Sequence, residues 1–189
     1  MFQKVNGTVT ELGGPQAFKV VAEGSSALSE ADRTAREEFH RKVSRLYRAV
    51  SGATHTAENV ETRLKSIRQA LRETPGAEKQ LEAVADAIEQ RNREIQRVLS
   101  GDKEMAKRNE PISSSINDRV EGIMEGERFA LAKPTQSHVN DYNIAAAEFA
   151  EQLGRLRALV DVDLAKLEKD MEAAGAPWTP GRMPEWSEK

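Results

Sequence analysis

Between residues 39 and 71 the apolar positions Phe39, Val43, Leu46, Val50, Ala53, Ala57, Val60, Leu64, Ile67 and Leu71 recur at alternating intervals of four and three. That spacing keeps one side of an α-helix apolar for nine consecutive steps, and no strand or loop has a reason to keep it. The seam does not change phase at Gly52, a residue that costs a helix about 1 kcal/mol relative to Ala. One helix is therefore predicted over 30–74. Ser29 is its N-cap, Glu30 and Asp32 lie in its first turn, and Pro75-Gly76 stops it. At 1.5 Å per residue it is about 67 Å long. So long and narrow a seam has to be covered by other helices, and this constrains the remainder of the chain.

The other segments supply the covers. Leu81, Val84, Ile88, Ile95 and Val98/Leu99 stripe a second helix over 77–99, with Gly101 at its C-terminal cap. Residues 101–114 read as a polar loop, followed by a short third helix over 115–125 with Ile116, Val120, Ile123 and Met124 on one side. Ser113-Ser114-Ser115 caps it and Glu125-Gly126 ends it. Thr135 caps a last helix over 136–174, about 58 Å long. Its stripe is Val139, Tyr142, Ala146, Phe149, Leu153, Leu156, Val160, Leu164, Leu167 and Met171, and Gly175 closes it. The second helix is about half the length of the first, so the loop and third helix must complete the descent before the last helix climbs again. The expected fold is all-α: an elongated antiparallel three-/four-helix bundle with two long helices, preceded by a short β-hairpin stub.

The chain thus divides into three segments. Residues 1–22 read as strand, turn, strand around Asn6-Gly7, a two-residue turn that tolerates positive φ. Two strands alone are marginal, so they read as the remnant of a preceding β-domain. Residues 23–175 are the bundle. Residues 176–189 form an extended tail with three prolines and both tryptophans, and Trp178, Trp186 and Arg182 in it are candidate docking residues. The tail either packs on the bundle, the default for a tryptophan, or serves as a docking peptide.

Charge bears on pairing. Residues 30–74 carry ten basic and seven acidic side chains, and 136–174 carry four basic and eight acidic ones. Arg41, Arg45 and Arg48 beside the seam could face Glu148, Glu151 or Asp161, and a solvated face is at least as good a reading for each. Such pairs bias association by about 0.2–1 kcal/mol each. The net charge of −3, with no aromatics interleaved among the basic residues, argues against a nucleic-acid groove.

Chemistry is sparse. The chain has no cysteine, which removes disulfides, thiolate metal sites and a cysteine nucleophile. His40 and His55 are fifteen residues apart on one helix, about 22 Å, and with His138 they read as isolated surface side chains. No His-x-x-x-His, Glu-x-x-His, phosphate loop, dinucleotide fingerprint or nucleophile elbow is present. The expectation is no catalytic residue, no metal and no cofactor. No apolar run is long enough to span a bilayer, and residues 1–25 lack the plan of a signal peptide.

Several stretches carry a family likeness. These are Gly-Pro-Gln-Ala-Phe-Lys-Val-Val (14–21), Leu-Tyr-Arg-Ala-Val-Ser-Gly-Ala (46–53), Arg-Leu-Lys-Ser-Ile-Arg-Gln-Ala-Leu (63–71), Arg-Asn-Glu-Pro (108–111) and Ala-Gly-Ala-Pro-Trp-Thr-Pro-Gly-Arg-Met-Pro (174–184). Together they resemble the C-terminal region of bacterial sortilin-type β-propeller proteins with Asp-box repeats, commonly labelled glycosyl hydrolases. The resemblance implies preceding β-domains as partners and a periplasmic or secreted location. The Asp-box motif Ser-x-Asp-x-Gly-x-x-Trp is absent here, so no catalytic residue carries over. The expected function is a non-catalytic interaction or spacer module. The alternatives are an autonomous adaptor or homodimerisation module, which an exposed apolar stripe would favour, and an enzyme, which two close carboxylates in a deep pocket would favour.

Overall fold

A computed structural model gives the architecture, and it describes residues 2–11, 13–14, 16–21, 28–75, 79–128, 130, 132–184 and 186. The elements in order are β1 (Phe2–Val5), β2 (Thr8–Glu11), α1 (Glu30–Arg72), α2 (Lys79–Ser100), α3 (Lys103–Lys107), α4 (Ile116–Arg128) and α5 (Gln136–Ala158). A π turn over Leu159–Leu164 then leads into α6 (Ala165–Ala173). The chain is an all-α bundle with a short antiparallel hairpin at its N-terminal end.

The spine is α1, 43 residues and about 64 Å long. Ser29 caps it by accepting the Asp32 amide. All ten seam residues from Phe39 to Leu71 are buried. The helix passes Gly52 without a break, as its seam requires. A Cβ added at Gly52 would meet nothing within 4 Å, so no packing constraint among the described residues explains this glycine.

Beside the C-terminal half of α1, α2 runs antiparallel. Arg68 bonds Asp86 at 2.6 Å and also Glu89, and the Asn92 amide donates to the Ala57 carbonyl at 2.9 Å. This is within one helical turn of the register expected for a reversal near Gly76, a residue outside those described. The buried line of α2 is Ala85, Ile88, Asn92, Ile95 and Leu99, while Leu81 and Val98 flank it and Val84 is exposed. Gly101 closes α2 at φ +84°. The segment after it is not wholly a loop, because Asp102 accepts the Glu104 and Met105 amides and nucleates the single-turn α3.

The middle leg resumes at α4. Its start is a reciprocal cap in which Ser115 and Asp118 bond each other's backbone amides. Contrary to expectation, α4 does not end at Glu125-Gly126. It continues to Arg128, which carries Glu127 into the bundle interior.

The last leg then climbs parallel to α1. Phe39 meets Tyr142 edge-on at 5.9 Å near its base, and Arg63 meets Glu168 near its top. Its buried line keeps Phe149, Leu156, Leu164, Leu167 and Met171 of the expected stripe, but Ala145, Gln152 and Leu159 are buried in place of their neighbours Ala146, Leu153 and Val160. The interval from Leu159 to Leu164 is five, too long for one α-helical step. The π turn absorbs the extra residue and returns Leu164 to the core, while Val162 faces out.

One open alternative is decided and one expectation needs correction. The cation–carboxylate pairs between helices are Arg63–Glu168, Arg68–Asp86/Glu89, Arg91–Asp163, Arg119–Asp141 and Arg155–Glu94. None joins Arg41, Arg45 or Arg48 to Glu148, Glu151 or Asp161, because the parallel climb of α5 sets those residues on outward faces. Nor does the hairpin reach residue 21. Among the described residues strand pairing runs only from Phe2↔Glu11 to Val5↔Thr8 around Asn6 and Gly7, both at positive φ, and residues 16–21 belong to no strand and are exposed. Among the described residues no helix is long and apolar enough to cross a membrane.

Candidate functional site

The tail residues singled out by sequence part company. Gly175, at φ +75°, ends α6 with the Ala176 amide returning to the Met171 carbonyl at 3.0 Å. This turns the chain back toward the bundle, where Thr179 is buried. The Arg182 guanidinium lies 4.3 Å from the Trp178 ring centre, a cation–π contact. It also donates to Glu172 at 2.9 Å and lies 3.9 Å from Glu168. Glu168 is itself buried and takes a 2.5 Å bond from Arg63 of α1. Trp178 and Arg182 are therefore drawn together onto the end of the bundle, whereas Trp186 is 82% exposed.

The structure also builds a polar cluster that the sequence pattern did not reveal. Glu127 is 3% exposed, and both of its carboxylate oxygens are occupied. His138 Nδ1 lies 2.7 Å from Oε1, and His40 Nε2 lies 3.2 Å from Oε2, both within hydrogen-bond distance. Three helices, α1, α4 and α5, meet at this carboxylate. Local chemistry sets the approach: Thr135 caps α5 by accepting the His138 amide, and Gly126 leaves the space that the His138 ring fills. A Cβ on Gly126 would stand 2.9 Å from that ring. His40 and His138 are thus not isolated, although His55 is, lying on the surface 3.9 Å from Glu58.

With each of its oxygens engaged by a histidine from a different helix, the Glu127 carboxylate bridges α1, α4 and α5. Glu127 also lines an open pocket of about 590 Å³, together with His40, Val43, Tyr47, Glu121 and Glu125. Among the described residues no group of three His, Asp or Glu side chains is arranged to hold a metal ion. Further along α1, the Lys65 ammonium bonded to Glu61 at 2.8 Å holds that carboxyl below the usual carboxylate range, against a smaller opposing effect of burial.

One sequence signal could have found the cluster. Glu127 falls on the apolar line of α4, Ile116–Val120–Ile123–Glu127, at intervals of four, three and four. A carboxylate in a seam position needs donors, and the two free histidines were the candidates. No family model, no curated protein and no solved structure matches the chain.

Proposed function

We propose that this chain is a non-catalytic helical spacer and interaction module of a larger bacterial protein, the C-terminal appendage of a propeller protein of the Asp-box type. The observation that carries the reading is where apolar surface is and is not covered. The seams of α1, α2, α4 and the α5–α6 rod bury one another from Phe39 to Met171. At the hairpin end, by contrast, Phe2, Val5, Val9, Phe18, Val20 and Val21 are all more than half exposed. A preceding β-domain would cover these side chains and extend the two-stranded sheet. The propeller parent, its glycosyl hydrolase label and a periplasmic or secreted location rest on the sequence resemblance alone.

Outside the tail, which exposes Trp178, Met183 and Trp186, the other exposed large apolar side chains, Val84, Ile112, Met124, Ile144 and Val162, are spread over separate elements, a pattern that favours the spacer over an autonomous homodimer built on one apolar stripe. Two measurements test the reading. The purified chain is expected to turn over no aryl glycoside, and turnover abolished by changing a single carboxylate of this chain would overturn it. Hydrogen exchange of the β1–β2 amides is expected to be fast in the chain alone and strongly slowed in the longer protein. Equal rates in both would remove the attachment.

A further inference from the structure

The outward face of α1 repeats the heptad of the inward one. Arg41, Arg45, Arg48, Gly52, His55 and Asn59 succeed one another at intervals of four and three, and all are exposed. Nothing among the described residues packs on this line. Among the described residues Arg45 and Arg48 make no hydrogen bond or ion pair, and neither does the adjacent Lys42. Arg41 has only the exposed Glu37 one turn away. A shallow surface groove runs along Arg41, Lys42, Arg45 and Arg48, with Glu38 and His40 also lining it.

We propose that this face, from Arg41 to Gly52, docks an acidic segment of another protein whose backbone comes closest to α1 at Gly52. The inference rests on the interaction-module reading and names the surface and the partner chemistry. Two independent observations point the same way. The first is charge: among the described residues Arg45 and Arg48 have no intramolecular carboxylate and Arg41 has only the exposed Glu37, and their planar forks match carboxylates in paired hydrogen bonds. The second is Gly52 itself, which weakens the longest helix of the molecule without relieving any contact inside it. Close approach of another backbone is what a mid-helix glycine permits.

Other anionic partners fit less well. Single-stranded nucleic acid needs exposed aromatic platforms between the cations, and Tyr47, the nearest aromatic, lies half-buried on another side of the helix. A membrane surface needs apolar side chains to insert beside the basic ones, and the line has none.

The test uses the whole chain and a fluorescent synthetic helical peptide with glutamates repeated at i, i+4 and i+7. Its glutamine counterpart, oligo-dT and phosphatidylserine vesicles serve as competing probes. The glutamate peptide is expected to bind by anisotropy and to weaken steeply as salt is raised, while the other three bind at least about tenfold less tightly. The variant Arg41→Gln/Arg45→Gln/Arg48→Gln should lose about tenfold or more in affinity. Gly52→Leu should remain fully helical, melt no lower than the parent and still lose binding. The proposal is overturned if the glutamate peptide does not bind, if either variant keeps the parent affinity, or if oligo-dT or vesicles bind as tightly. Those outcomes leave the spacer reading standing, because that reading falls only by its own activity and exchange measurements.

Discussion

At Gly126 the missing side chain matters more than most side chains present. The His138 ring occupies the notch, and from there its Nδ1 reaches Glu127. Gly126→Ala is expected to push the ring out and leave a buried carboxylate with one donor fewer, lowering stability by about 1–3 kcal/mol in urea unfolding. In a His138→Ala background the same change should cost much less, and a double-mutant cycle showing full additivity would refute the coupling. Asn92 poses the opposite case. Its amide donates to the Ala57 carbonyl, while its Oδ1, buried in the core, meets no donor. Leucine has nearly the same shape and no such unpaired acceptor. Asn92→Leu should therefore leave stability unchanged or raise it by about 1 kcal/mol, and a fall of several kcal/mol would show that the amide carries more than its one bond.

Helices in this chain are legible from intervals, and the π turn shows how far that goes. Intervals of three and four mark a helix face, but a single interval of five, from Leu159 to Leu164, was invisible because Val160 offers a nearer apolar residue. Burial decides for Leu159 because the preceding buried residues, Phe149, Gln152 and Leu156, already point that way. If the extra residue is only accommodated by the π turn, removing it should be harmless. Deleting Val162, which is 62% exposed, would set Leu159 and Leu164 four apart and restore ordinary α-helical spacing. The variant should keep full helicity by circular dichroism and a single cooperative melt. Deleting Glu151 should instead rotate everything after it by about 100° and turn Leu156, Leu159, Leu164 and Leu167 away from the core. That variant should lose its cooperative transition, and equal tolerance of both deletions would contradict the register argument.

At the scale of the whole molecule, stability resides in the seams and not at the hairpin. Every residue of β1 and β2 is exposed, so the hairpin adds nothing to the bundle's buried surface. A chain starting at Leu28 should match the melting temperature of the full chain within about 2 °C. A larger drop would mean that the hairpin stabilises the bundle in solution.

The amino-acid sequence by itself determined the all-α class, the two long helices, the uninterrupted passage through Gly52 and the broken middle leg. Each of these arises from local periodicity, capping residues and helix length, which are properties of neighbouring positions in the chain. Only the tertiary structure decided which charges meet. Arg63 finds Glu168 across 105 positions and His40 finds Glu127 across 87, and such partners depend on rotations and offsets between helices that no local interval encodes. The same rotations leave Arg41, Arg45 and Arg48 facing outward. An exposed charge is stable with or without a partner, so composition alone could not say whether they were paired.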